Sequence, residues 1–191
     1  MDERVPPELA DHPDRIRWNA KHDPDAPVRP AHPLAAEALR AAPGGPVLDL
    51  ACGASGAALL AAAAGRPVTA VDISDIALAR LGAEARRRGL AGLVTLVQAD
   101  LGTWRPPTGF AAVLCTGFWD RAVFAAALGA VVPGGVLAWE AFTTEARRDR
   151  PRLPPEWCLG PGEPASLLPD GFRVLDARDV PGGKRRLLAR S

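Results

Sequence analysis

The 191-residue chain has no tyrosine, one methionine, three cysteines and three histidines. Without tyrosine, any mechanism loses one of the usual proton carriers. Cys52, Cys115 and Cys158 lie far apart with no paired spacing. That spacing suggests no disulfide framework, and with so few histidines no protein-bound metal is expected. Each cysteine reads as a small buried residue. Charge of one sign is also lacking: the formal net charge is only +1, which gives no electrostatic case for a nucleic-acid partner. The longest apolar run, Ala57 to Ala64, falls far short of the roughly 20 residues that span a bilayer, so no membrane partner is expected. Met1 to Pro7 is charged and proline-rich, where a secretory leader needs an apolar stretch. The expected location is cytoplasmic.

What is present is a core: 48% of residues are hydrophobic, sufficient at this length for one domain. Residues 1–32 carry Pro, Asp and Arg with no sustained period and are expected to form an N-terminal arm or cap, with a short helix around Ile16-Arg17-Trp18. Residues 33–191 alternate strands with helices. Pro33 is a good first helical residue, and Pro43-Gly44-Gly45 stops that helix. Strands are expected over residues 46–50, 67–71, 93–97, 110–115 and 136–142, with helices near residues 55–64, after Ser74, and from about Asp120. Two further strand-like runs, 172–176 and 185–189, close the chain. This alternation predicts a doubly wound α/β sheet, mostly parallel and Rossmann-like. Residues 143–169 are broken by prolines and read as a long loop or broken helix.

In such a sheet, ligands sit beyond the carboxyl ends of the strands, and Asp49, Asp72 and Asp100 all fall at such ends. A single acid there is ordinarily a cap or a solvated turn. Three in succession, with Gly53 and Gly56 in the first turn, point to a nucleoside site. Asp72, 19 residues beyond Gly53, suits the vicinal hydroxyls of a ribose, while Asp100 and the Leu101 amide suit an adenine edge. A nicotinamide-dependent oxidoreductase is the rival, since its fingerprint also has glycines followed by an acid. That fingerprint wants Gly-x-Gly-x-x-Gly, and here only the last two glycines stand. Asp49 also has the wrong sign for a pyrophosphate and the right one for an ammonium or sulfonium.

Four motifs in order carry a resemblance: Asp49-Leu50-Ala51-Cys52-Gly53, Val71-Asp72-Ile73-Ser74, Ala99-Asp100-Leu101 and Val132-Pro133-Gly134-Gly135. Over roughly residues 33–190 the chain resembles the class I S-adenosylmethionine-dependent methyltransferases. Trp18-Asn19-Ala20-Lys21 and Trp139-Glu140-Ala141-Phe142 look most like the small tellurite-resistance and thiopurine methyltransferase branch. The chain departs from the pattern at Ala51, where the first glycine is usual, and at Ser55, where the third is. The resemblance implies a seven-stranded sheet with an antiparallel last strand beside strand five, S-adenosyl-L-methionine as cofactor, and cofactor contacts from Asp49, Ala51, Gly53, Gly56, Asp72, Ile73, Asp100, Leu101, Cys115 and Trp18. An aminopropyl transferase or a non-catalytic cofactor-binding protein would share these motifs.

The implied activity is methyl transfer to a small-molecule nucleophile by in-line displacement, which needs alignment and exclusion of water rather than a covalent enzyme intermediate. If the nucleophile arrives protonated, His32, Asp120 and Glu140 are the candidate bases, although Glu140 can equally be an ion-pair partner of Arg121. Phe118 or Trp119, after strand four, can turn a ring toward a sulfonium. Arg147, Arg148, Arg150 and Arg152 would suit an anionic acceptor or simply face water. No motif specifies the acceptor or the number of subunits.

Overall fold

Short strands that are apolar on both faces are stable only when both faces are covered, and the central strands of this protein are buried on both faces although one of them carries Asp49. In the computed structural model, which describes residues 5–191, β1 (Val47–Leu50) is buried along its whole length. It is flanked by β2 (Val68–Asp72) and β4 (Phe110–Thr116), with β3 (Val94–Gln98) outside β2 and β5 (Val131–Phe142) outside β4. All four of these pairings are parallel. The chain then forms β6 (Arg173–Val180) and β7 (Lys184–Arg190). β7 runs antiparallel between β5 and β6, and the order is β3-β2-β1-β4-β5-β7-β6. The expected seven-stranded sheet, with its reversed last strand beside β5, is therefore present.

One face of the sheet carries α2 (Pro33–Ala41), α3 (Ala57–Ala63) and α4 (Asp75–Arg87), which bury Leu34, Leu59 and Leu81 against Val47, Val68 and Ala70. The other carries α5 (Arg121–Ala130) and an aromatic cluster in which Phe124 meets Trp119 and Trp139 at ring separations of 5.5 and 5.1 Å. Local signals set the helix starts. Ser74 caps α4 by accepting from the Ala77 amide at 3.1 Å, and Pro33 opens α2 as its first residue. Each placement directs a helix N-terminus toward the carboxyl edge of the sheet.

Several boundaries differ from the sequence expectation for physical reasons. β5 begins at Val131 rather than Val136, because Val131 already pairs with Phe110 and the Pro133-Gly134-Gly135 turn lies within the strand's span. β6 extends to Val180 through charged residues, as an edge strand with an exposed face can. Residues 143–169 form short 3-10 turns at Thr144–Arg148, Pro155–Trp157 and Ala165–Leu167, pinned by an isolated pairing of Thr143 with Leu159. Leu159 is fully buried. This segment is thus a packed cover on its face of the sheet.

Before residue 33, the described chain has a 3-10 turn at Pro7–Leu9 and α1 (Pro13–Asn19), where Ile16-Arg17-Trp18 suggested a helix. Met1-Asp2-Glu3-Arg4, part of the charged opening on which the location was read, lies outside the described residues. Asn19 and Arg15 each bond Asp75 at 2.8 Å, and Ser74 Oγ donates to Asn19 at 2.7 Å. Further on, Arg80 donates to the Ala26 and Pro27 carbonyls at 2.9 and 2.7 Å. The arm therefore lies docked along α4.

Candidate functional site

Between β1 and α3 the chain must turn sharply in the space of a few small residues. Ala51 adopts φ +48° and Gly53 φ +52°, so two residues of this loop are left-handed. Glycine meets that demand without strain, but Ala51 does so at a cost of about 1 kcal/mol. Strain of this kind concentrates where a loop must hold a particular shape for a ligand. Gly56 answers a different need. A Cβ there would come within 2.9 Å of both the Arg29 carbonyl oxygen and the Ala31 amide nitrogen, and only a bare backbone lets the arm lie this close.

Asp72 fastens the same loop from the next strand. Its Oδ2 accepts from the Gly53 amide and its Oδ1 from the Ser74 amide, both at 2.8 Å. Burial pushes its carboxyl up, and the two amides together with His22 pull it back. Each oxygen retains a lone pair for a further donor. Asp100 is tied to its own turn, accepting from the Gly102 amide at 2.9 Å and the Thr103 hydroxyl at 3.3 Å. Asp49 is 2% exposed and its Oδ2 has no hydrogen-bond partner. Burial first, and then the nearby Asp72 charge, raise its carboxyl to about 7. A buried carboxylate left one bond short is poised for a cationic donor.

These loops open onto a cavity of about 810 Å³ at the carboxyl edge of the sheet. Of the residues expected to touch a cofactor, Trp18, Ala51, Gly53, Asp72, Ile73, Asp100 and Leu101 line it. Three do not. Asp49 lies behind the loop, Gly56 faces the arm, and Cys115 is fully buried with its thiol donating to the Phe118 carbonyl at 3.8 Å. Burial holds the Cys115 thiol well above its ordinary value. A buried strand-end position and a wall position look alike in sequence, which is why Cys115 was grouped with the others.

Residues 47–135, from β1 into β5, match the family model of a methyltransferase domain. Similar solved structures include TehB from Haemophilus influenzae, 17% identical with a TM-score of 0.70, covering 84% of this chain and 62% of that one. The protein of the study on conversion of a disulfide bond into a thioacetal group during echinomycin biosynthesis is 20% identical with a TM-score of 0.67, covering 93% of this chain and 92% of that one. The glycopeptide N-methyltransferase MtfA, complexed with sinefungin, is 18% identical with a TM-score of 0.62, covering 88% and 89%. No curated protein matches the chain. At these identities the likenesses show the fold alone, a Rossmann-like methyltransferase fold, and among these neighbours coclaurine N-methyltransferase is bound to N-methylheliamine and SAH.

All three candidate bases have other work. Glu140 is paired with Lys184 at 3.0 Å and His32 at 3.2 Å. Burial raises its carboxyl, but those two partners outweigh it and hold the group below the usual range. The expected Arg121 pairs instead with Glu163 at 2.6 Å. His32 Nδ1 accepts from the Leu34 amide at 3.2 Å, which leaves Nε2 as the donor to Glu140, so neither ring nitrogen is free. Asp120 caps α5 through the Ala122 and Val123 amides and lies off the cavity wall. The aromatic pair divides: Phe118 lines the cavity, whereas Trp119 is core. None of Arg147, Arg148, Arg150 and Arg152 lines the cavity. Arg147 and Arg150 bond the Leu153 and Gly182 carbonyls, so this cluster forms no anionic acceptor site there.

The sequence reading missed the cations on the cavity wall: Lys21, Arg29, Arg80 and Lys184. It also missed His22, which faces Asp72 and whose ring is pushed down chiefly by burial. These residues come from the arm, α4 and β7, and no local spacing marks them. Trp18 is held over the wall by stacking on Trp157, with ring centroids 6.2 Å apart. Among the described residues no cluster of potential metal ligands occurs and no helix is long and apolar enough to cross a membrane.

Proposed function

We propose that the protein transfers the methyl group of S-adenosylmethionine to a small-molecule nucleophile. The observation that carries this reading is the set of acids at the ends of β1, β2 and β3 around one glycine-floored loop, with Asp49 Oδ2 buried and unpartnered behind it. That charge pattern fits a cationic nucleoside and repels a pyrophosphate. When bound, the cofactor supplies a methyl sulfonium that is already electrophilic, so this chain's residues need only bind, orient and exclude water. In this reading Asp72 takes the ribose hydroxyls through its remaining lone pairs. Asp100 and the Leu101 amide take the adenine edge, and Asp49 attracts the ammonium. Trp18 and Phe118 keep water from the reacting end.

With His32, Asp120 and Glu140 all committed, no side chain among them is left as a general base. The acceptor is then a nucleophile that needs no enzyme base, such as a thiolate or a neutral amine. Lys184, Thr116 and Gly117 form the end of the cavity nearest β4 and β7, where the acceptor sits. We assign the arm, residues 1–32, to covering this site, and residues 33–191 to the catalytic domain of a cytoplasmic enzyme that acts on neither nucleic acid nor membrane. The TM-score of 0.70 to TehB, together with Trp18-Asn19 in the arm, supports the tellurite-resistance and thiopurine branch.

A panel of small thiols, amines and chalcogen oxyanions, read by release of S-adenosylhomocysteine, tests the reading. Turnover with a thiol or amine supports it. Tight binding of S-adenosylhomocysteine with no turnover across the panel would instead favour a cofactor-bound non-transferase, a role consistent with the likeness to the [4+2]-cyclase SpnF, 18% identical with a TM-score of 0.62.

A further inference from the structure

Charge is unevenly distributed along the cavity. Asp72 and Asp100 stand at the ends of β2 and β3, where the proposed cofactor lies, whereas the end formed by His32, Thr116, Gly117, Phe118 and Lys184 carries the Lys184 ammonium. That ammonium is built into the sheet. Lys184 opens β7 opposite Phe142, lies 5.3 Å from the centre of that ring, and reaches diagonally across β5 to Glu140 Oε1 at 3.0 Å. Glu140 is itself fixed from two further sides. His32 Nε2 meets the same carboxylate oxygen at 3.2 Å, and the Gly117 amide, in the loop after β4, donates to the Glu140 carbonyl at 2.7 Å.

The two partners are unequally buried: the Glu140 side chain is 4% exposed and that of Lys184 28%. The pair thus turns its cation to the cavity and keeps its anion behind, so a ligand at this end meets a positive field. An ammonium has three donors, and Glu140 takes one. We propose that Lys184 binds a carboxylate of the acceptor, which is therefore a small nucleophile bearing a single negative charge. This rests on the methyltransferase reading and deepens it. One lysine already facing one acid suits a monoanion, whereas a phosphate dianion calls for more cations or an arginine fork. The same charge disfavours aliphatic amines, which have pKa values of about 10 and arrive as ammonium ions of like sign. A thiol or an aromatic amine carried on a carboxylic acid meets both demands, since neither needs an enzyme base and each brings the anion.

The test is a nuclear magnetic resonance titration of the full chain saturated with S-adenosylhomocysteine, using three probes that differ in one terminal group: 3-mercaptopropionate, 3-mercaptopropanol and 3-mercaptopropylamine. Wild type is expected to bind the acid about tenfold more tightly than the alcohol, and the amine most weakly of the three. Lys184→Met should bring the acid down to the affinity of the alcohol while leaving the alcohol unchanged, and Lys184→Arg should keep the preference. Retained binding of S-adenosylhomocysteine reports that each variant is folded. Lys184→Gln, which keeps a donor for Glu140 without the charge, gives the same result where Lys184→Met does not fold. No preference for the acid in wild type, no binding of the acid, or a preference that survives loss of the lysine overturns the role of Lys184 and leaves the methyltransferase reading intact. Failure of wild type to bind S-adenosylhomocysteine at all overturns both.

Discussion

The two walls of the cavity are made differently. One is local: residues 51–55, 72–73 and 100–101 follow directly from β1, β2 and β3, and their bonds run between neighbouring strand ends, as from the Gly53 and Ser74 amides to Asp72. The other is assembled from distant parts of the chain, with Trp18, His22 and Arg29 from the arm, His32 from the cap of α2, and Lys184 from the start of β7. The first wall is a rigid consequence of sheet topology. The second depends on a docking surface, the contact of the arm with Ser74, Asp75 and Arg80. Cofactor affinity should therefore be governed chiefly by the local wall, and acceptor access and ligand residence by the assembled one.

The largest expected effect is at the local wall. Asp72→Ala removes the proposed ribose acceptor and releases two loop amides, and should weaken S-adenosylhomocysteine by on the order of 100-fold, about 3 kcal/mol. Calorimetry reads it directly. A loss below threefold would show that Asp72 only shapes the loop.

Asp49 comes next, and its effect depends on pH. Its carboxyl is raised to about 7 in the folded protein, so the native state holds a proton that the unfolded chain releases. Stability from this group is complete below the usual carboxylate range and falls as pH rises toward 7. Asp49→Asn should remove that slope and gain up to about 4 kcal/mol of stability at pH 8 relative to wild type, while weakening S-adenosylhomocysteine about tenfold. Melting curves from pH 4 to 8 would decide it, and parallel curves for the two proteins would show that no such proton is held.

How much could be read in advance follows the same division. The strand ends, and the positions there of Asp72, Asp100 and the first-loop glycines, were legible because a continuous apolar run broken by small residues is a short-range signal. Cys115 and Asp49 were placed on the wall because sequence marks a strand end without marking which way its side chain points. The anchoring of the arm was invisible for another reason. Asn19, Arg80 and Gly56 form contacts between segments that no pattern links, and the ion pairing of Glu140 with Lys184 and His32 arises only once β7 lies beside β5. Long-range placement thus turned a candidate base into a structural acid.

The assembled wall gives smaller effects. Asn19→Ala loses bonds to Asp75 and Ser74, roughly 1–2 kcal/mol of arm docking. It should speed S-adenosylhomocysteine release five- to tenfold in stopped-flow fluorescence, with the melting temperature of the domain nearly unchanged. An unaltered off-rate would mean that the arm does not cover the bound ligand. Trp157→Ala removes the stacking partner of Trp18, worth about 1 kcal/mol. The expected change is a severalfold rise in acceptor KM with little change in cofactor affinity. The reverse pattern would assign Trp18 to the cofactor alone.

The central claim is that acids lining the edge of the sheet select a cationic nucleoside over a dinucleotide. Parallel calorimetric titrations of the full chain with S-adenosylhomocysteine and NADH test it most directly. One S-adenosylhomocysteine per chain at micromolar affinity or better, and no heat from NADH, is the expected result. Binding of NADH without binding of S-adenosylhomocysteine would contradict it.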